Sequence, residues 1–259
     1  MEPASFRSHD MHLHILGSGD AFGSGGRLNT CFLVDRGDRS FLIDCGASAM
    51  ISMRRFDIDP NRIAAIILSH LHGDHFGGLP FFILDSHLVS RRARPLVIAG
   101  PRGLSARLEA LMEACFPGSS KVQRRFPVEI VEIEPSAPTR IPQGDLGVTG
   151  YLVEHPSGTP SMGLRIECDG RIIAYTGDTQ WTESIIGIGK EADILIAEAY
   201  CYERQVRFHL DFLTLREKLL RIGAKRVILT HMSPDMLARA AEALAPCEAA
   251  HDGLRIELG

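Results

Sequence analysis

The 259-residue sequence has no apolar run approaching the roughly 20 residues that a membrane-spanning helix needs. It has no excess of positive charge: 28 Lys and Arg stand against 32 Asp and Glu, a net charge of −4. A general nucleic-acid coat is strongly basic overall, so that class is disfavoured. The clusters SRRAR (90–94) and QRR (123–125) read as solvated faces. There is no CxxC pair. The six cysteines, at 31, 45, 115, 168, 201 and 247, are scattered, the pattern of reduced and mostly buried thiols in a cytoplasmic protein. The opening stretch MEPASFRSHDMHLHILGSG lacks a basic region, an apolar core and a small-residue cleavage site, so no secretory leader is expected. No repeat, low-complexity tract or long linker interrupts the chain, and one domain over 1–259 is expected.

What is present alternates between strand-like and helix-like patterns. Strands are expected at 11–16, 62–69, 94–100, 126–134, 146–155, 192–199 and 225–231, and hairpins at 30–46 and 161–178, the second turning at Asp169-Gly170. Helices are expected at 79–90, 101–116, 211–223 (ending at Gly223) and 233–245, the last opened by a Ser cap and Pro at the first helical position. Continuous apolar runs such as RIAAIILS mark strands covered on both faces. Two sheets with helices outside suit this mix.

Histidine, in contrast, is plentiful, with 11 in the chain. Residues 69–78 read SHLHGDHFGG and place His70, His72, Asp74 and His75 together. His-x-His on a loop lets two imidazoles bind one ion while Leu71 points elsewhere; Asp74 and His75 can reach a second ion about 3.5–4 Å away. Two cations that close repel, so an anion must lie between them. Several apolar strands run straight into ligand-grade residues: IILSH ends at His70, GYLVEH at His155, IIAYTGD at Asp178 and RVILTH at His231. Core packing does not explain such endings. Asp178 alone would read as a turn residue; beside the histidine motif it fits the bridging carboxylate, and His155 and His231 complete the two ligand sets. A mixed His/Asp set suits zinc, and also manganese or iron. His12 and His14 alternate on a strand with no partner motif and read as structural, and His9, His87 and His251 as solvent or packing residues.

SHLHGDHFGG is similar to the HxHxDH signature of the metallo-β-lactamase fold superfamily, and EHPSG, AYTGDT and ILTHMS follow in that superfamily's order. The resemblance runs from ILGSGDAFGSGGRLNTCFLVD to ILTHMS, nearly the whole chain. It implies a four-layer αβ/βα sandwich of two mixed sheets flanked by helices, with a dinuclear site between the sheets. It assigns one metal to His70, His72 and His155 and the other to Asp74, His75 and His231, with Asp178 bridging. LGSGDAFGSGGRLN resembles the first motif of the ribonuclease Z-like branch, whose Arg-Asn element is here Arg27 and Asn29, split by Leu28. DILIAEA resembles the segment carrying a glutamate after a buried strand, matching Glu198, with Ala197 where the branch has histidine. RFHLDF resembles the loop whose histidine pairs with that glutamate, matching His209, but Leu210 and Asp211 replace the usual small polar residues.

Ribonuclease Z carries a tRNA-gripping arm between the third ligand motif and the bridging aspartate. The stretch from His155 to Asp178 holds only a hairpin. The resemblance therefore implies a smaller phosphodiesterase acting on cyclic nucleotides or other small phosphodiesters, with a metal-bridging hydroxide attacking phosphorus. In that scheme Asp74 binds metal and orients the nucleophile. Glu198 holds His209, which contacts the phosphoryl group or protonates the leaving oxygen. Arg27 either binds a phosphate or braces the glycine-rich loop. The expected cofactors are two divalent ions, zinc first. The expected partners are a small phosphodiester and a second copy of the chain, with no stable nucleic acid and no membrane. Rival readings keep the site: hydrolysis of a lactone, thioester or β-lactam, iron redox chemistry, tRNA 3′ processing, or metal-retaining binding without catalysis.

Overall fold

Period-two alternation sorts each central strand between two apolar layers. In the computed structural model, which describes residues 11–240 and 244–258, the first part of the chain supplies β1 (His12–Gly17), β2 (Cys31–Asp35), β3 (Ser40–Ile43), β4 (Ile63–Ile67), β5 (Leu96–Gly100) and β6 (Val128–Glu132). Between them lie α1 (Ala49–Arg55), α2 (Gly73–Phe76), α3 (Leu79–Leu88) and α4 (Leu104–Cys115). The second part supplies β7 (Pro138–Ile141), β8 (Leu146–Leu152), β9 (Met162–Cys168), β10 (Arg171–Tyr175), α5 (Ser184–Gly189), β11 (Ile194–Glu198), α6 (Phe212–Ile222), β12 (Val227–Thr230), α7 (Pro234–Arg239), β13 (Glu248–Ala249) and β14 (Arg255–Glu257). Two seven-stranded sheets result, ordered β14-β1-β2-β3-β4-β5-β6 and β13-β12-β11-β10-β9-β8-β7. Both are mixed. From β3 to β6, and from β10 to β13, neighbours run parallel; the other pairs are antiparallel.

The sheets face one another across a core that includes Leu13, Ile15, Phe41 and Ile67 from one side and Leu164, Ile166, Ile173 and Ile196 from the other. Phe32 and Tyr175 meet edge to face across that interface, with ring centroids 5.3 Å apart. Truncating a buried aromatic of this kind typically costs about 3–5 kcal/mol. The outer faces of the same strands carry a second set of apolar residues. Ile66 and Leu68 pack with Phe82 and Ile83 of α3, and Leu195 and Leu229 with Phe212 and Leu215 of α6. Both faces being covered explains the continuous apolar runs of β4 and β11. The result is the expected four-layer αβ/βα sandwich.

Helix ends follow local chemistry. Asp211 caps α6 by accepting from Thr214 N at 2.8 Å, and Gly223 (φ 71°) ends it in the left-handed region. Ser233 and Pro234 open α7 as expected, but the helix reaches only Arg239; residues 241–243, inside the expected 233–245 span, lie outside the described residues, as do residues 1–10, where no leader was expected. One expectation is corrected. In SRRAR, Arg92 is not on a solvated face: it is 2% exposed, and its guanidinium donates to the carbonyls of Pro60, Ile63, Arg94 and Pro95. A guanidinium can be buried when its donors are matched by carbonyls.

Candidate metal centre

The site forms where strand ends gather on one rim of the sandwich. β3 leads into Asp44, β4 into Ser69 and His70, β8 into His155, β10 into Asp178 and β12 into His231, while β11 ends on Glu198. Asp44 and His231 both take the left-handed backbone region, each with φ 56°. A non-glycine residue there costs on the order of 1–3 kcal/mol and is concentrated at functional sites. Gly177, beside Asp178, has φ 61°, and a Cβ on it would lie 2.8 Å from the Met162 carbonyl. The tight approach of that turn to β9 therefore requires glycine.

The sequence-predicted ligands converge in two groups. The donor atoms of His70, His72 and His155 lie within 4.8 Å of one another, and so do those of Asp74, His75, Asp178 and His231. His72 Nδ1 and His155 Nε2 are 3.0 Å apart. Asp178 Oδ2 lies 3.4 Å from His75 Nε2, 3.2 Å from His231 Nε2 and 3.9 Å from His155 Nε2, so one carboxylate oxygen faces both groups. Asp74 Oδ2 lies 3.1 Å from His75 Nε2 and 3.2 Å from His231 Nε2. Four buried atoms here have no hydrogen-bond partner among the described residues: Nε2 of His70, Nε2 of His75, Oδ1 of Asp178 and Nδ1 of His231. Buried polar atoms are nearly always paired. His231 Nδ1 faces Glu198 Oε1 at 3.4 Å, which leaves its Nε2 toward Asp74 and Asp178. The open atoms of His70, His75 and Asp178 are nitrogen and carboxylate donors of the kind a divalent cation takes, so these residues fit one.

Neighbours fix which nitrogen faces inward. Asp44 Oδ2 sits 2.7 Å from His75 Nδ1 and takes its proton's bond, leaving the Nε2 lone pair toward the cluster. Asp44 in turn accepts from Ser69 N at 2.7 Å and Ser69 Oγ at 2.8 Å. His155 Nδ1 donates to the Phe208 carbonyl at 3.1 Å, again leaving Nε2 inward. Electrostatics match. Burial, reinforced by His75, holds His70 well below the ordinary histidine range. Burial opposes charge on His75 and His231 as well, yet Asp178 and Asp74 raise His75, and Asp178, Asp74 and Glu198 hold His231 up to about 10. Burial works against the Asp178 carboxylate too, but His231 and His75 keep it well below the carboxylate range. The field in the cluster favours positive charge, which is what a cation needs.

Glu198 and His209 do pair, through Oε1 and Nδ1. Glu198 is fully buried, and its Oε2 accepts from Thr179 N at 2.8 Å and Leu210 N at 3.4 Å. The pairing leaves His209 Nε2 free of Glu198. The His209 ring stacks on His231 with centroids 5.9 Å apart and meets His155 edge-on at 5.1 Å. Departures from the branch pattern are accounted for locally: Ala197 and Leu210 are buried in the layer under α6, and Asp211 is that helix's cap. Arg27 takes the bracing arrangement. Its Nη1 donates to Ser18 Oγ and the Ala250 carbonyl, while Asp252 accepts from Ser18 N and Leu28 N in the same loop. His14 is buried against Phe56, away from the cluster, and His87 and His251 join no metal-grade group among the described residues; His9 lies outside them. Two residues went unread in the sequence. Asp44 has the same strand-end signature, in FLIDCG, and Tyr200 places its ring 4.7 Å from His209.

A family model described as "Anti-Pycsar protein Apyc1" matches residues 11–250. The chain belongs to this family. Among curated relatives, ribonuclease Z of Geobacillus kaustophilus (strain HTA426) is 29% identical to this Apyc1-family chain over 86% of it and 88% of the relative. The short form of human tRNase Z superposes with a TM-score of 0.76 at 25% identity, covering 96% of this chain and 100% of that one. A diphosphatase of the PhnP family superposes with a TM-score of 0.75 at 21% identity, covering 95% and 97%, a likeness of fold. The metallo-β-lactamase fold and the ribonuclease Z-like branch are thereby shown. In this Apyc1-family member, β9 and β10 form the hairpin expected between His155 and Asp178.

Proposed function

We propose that the chain is a dinuclear metal-dependent phosphodiesterase acting on small phosphodiesters or nucleotides. The observation that carries this reading is the pair of open donor groups, with Asp178 in one of them and its Oδ2 3.9 Å from His155 Nε2 of the other, and with the Glu198–His209 pair alongside. His70, His72 and His155 would hold one ion, Asp74, His75 and His231 the other, and Asp178 both; zinc is the first choice on this donor set. When bound, such ions lower the pKa of water and polarise a phosphoryl oxygen. Asp74 orients the attacking group from within the second set. Glu198 holds the proton on His209 Nδ1, so His209 Nε2 is the atom that bonds the phosphoryl group or passes a proton to the leaving oxygen. The β9–β10 hairpin, in the position of the tRNA arm, supports small substrates. Six unpaired cysteines support a cytoplasmic location. Exposed Phe81, Leu88 and Val89 along and after α3 support a second copy as partner.

The test is metal content of protein purified without added metal, followed by bis(p-nitrophenyl) phosphate, a lactone and nitrocefin on the same sample. Two ions per chain and turnover of the phosphodiester alone are expected. Turnover of the lactone or nitrocefin without the phosphodiester would transfer the site to acyl chemistry.

A further inference from the structure

The geometry points to a phosphate-binding site on the rim opposite the candidate metal centre, in an arginine-lined cleft where β4 and β5 begin. It goes beyond the phosphodiesterase reading and does not rest on it. β4 runs from Arg62 on this rim toward His70 on the other, and at about 3.3 Å per residue the strand alone separates them by roughly 15 Å. β3 and β5 lie parallel on either side of β4, so Asp38 before β3 and residues 91–94 before β5 gather at the same rim. The cleft measures about 350 Å³ and is lined in part by Asn61, Arg62, Arg91, Arg92 and Arg94. That is within the roughly 300–1,000 Å³ of small-molecule sites.

The lining is positive, with four guanidiniums against the carboxylates of Asp38 and Asp59. Arg62 Nη2 meets Asp35 at 2.6 Å and Arg94 Nη2 meets Asp38 at 3.1 Å, which leaves Nε and Nη1 of both without an acceptor among the described residues. Arg91 is exposed, holds the left-handed backbone region (φ 48°), and its guanidinium has no partner among the described residues. The buried Arg92 is paired only with carbonyls. Burial, and then Arg94, lower its pKa to about 10, so it stays charged at neutral pH. A buried charge matched by dipoles alone gains from a counter-ion, and an anion in the cleft supplies one. Guanidinium forks match the oxygens of phosphate. One acceptor narrows the choice of anion. Asn61 Nδ2 donates to the Ser90 carbonyl at 2.7 Å, which fixes the amide, and its buried Oδ1 has no partner among the described residues. That atom favours an anion bringing its own donor. Inorganic phosphate keeps a P–O–H near neutral pH; sulfate has none and would set an oxygen against Oδ1.

Phenylglyoxal modifies free guanidiniums, and mass spectrometry reads each arginine separately, so phosphate held at the metal centre leaves the readout unaffected. On the metal-loaded protein, inorganic phosphate at about ten times its dissociation constant should slow modification of Arg91 about tenfold, because the free form falls by 1 + [L]/Kd. Sulfate at equal ionic strength should slow it far less. Arg102 and Arg140, exposed elsewhere, should react at an unchanged rate. Glycerol 3-phosphate separates the two sources of the group: protection at least as strong as that by phosphate makes a phosphomonoester the occupant, and weaker protection makes it free phosphate. Arg94→Ala should raise the phosphate concentration that half-protects Arg91 about tenfold, in the range of a hydrogen bond to a charged group. No slowing at Arg91, slowing shared by Arg102 and Arg140, or equal protection by sulfate means an adventitious ion only and overturns the proposal. A half-protecting concentration unmoved by Arg94→Ala overturns it as well.

Discussion

His75 presents Nε2 to the cluster because Asp44 engages Nδ1, and Asp44 is itself fixed by Ser69. Asp44→Asn keeps the shape but can offer an N–H where an acceptor stood, which favours the wrong tautomer. Metal affinity should fall about 10–100-fold, read by competition with a chelator, with the circular dichroism spectrum retained; unchanged affinity would remove Asp44 from the site. His209 lies outside both donor groups proposed to hold the ions. His209→Ala should leave metal content unchanged and lower kcat by roughly 10²–10⁴, with a smaller loss for p-nitrophenolate than for poor leaving groups. Wild-type kcat on a poor leaving group would dissolve the Glu198–His209 pairing as a working unit. The candidate ligand residues were legible because His70, His72, Asp74 and His75 announce one another by spacing and lend meaning to lone strand-end residues such as Asp178. Asp44 had the strand end but no spaced partner, so nothing in one dimension distinguished it from an ordinary turn aspartate.

At the scale of elements, the β9–β10 hairpin is the one with the largest functional consequence. It joins His155 to Asp178 by the shortest antiparallel route, leaving no surface arm on that side to grip an RNA elbow. Purified protein should therefore hydrolyse small phosphodiesters without trimming precursor tRNA; site-specific release of tRNA 3′ trailers on a denaturing gel would contradict it. The elements that sequence patterning announced are those with period or caps: α6 between Asp211 and Gly223, and β4 and β11 with apolar residues on both faces. α1, α5 and β7 were not announced. Each is four to seven residues long, too short for a helical or alternating period to register, and each is held by packing rather than by its own propensity.

Across the whole molecule, the first sheet is completed by β14, which returns to pair with β1 and sets Arg255 directly opposite His14. Burial first, and then Arg255, lower His14 to about 4. Neutral His14 therefore contributes stability that is fully present above about pH 6.5 and is lost as pH falls toward 4, at most about 3 kcal/mol. Chemical denaturation of wild type and His14→Leu across that window should show the wild type losing more stability; parallel curves would contradict the assignment. The same return of the chain governs how the site comes into being. Arg27 is held by Ala250, 223 positions away, and Ser18 by Asp252, 234 positions away, and Ser18 in turn accepts from His231 N. During synthesis the histidine-rich loop emerges long before these clasps exist. Until residues 250–257 have left the ribosome, the glycine-rich loop is unfastened and β1 is an open edge. Emergence of residues 250–257 thus acts as the timer for the site, and a nascent chain halted short of Ala250 carries the candidate ligands without the frame that sets them.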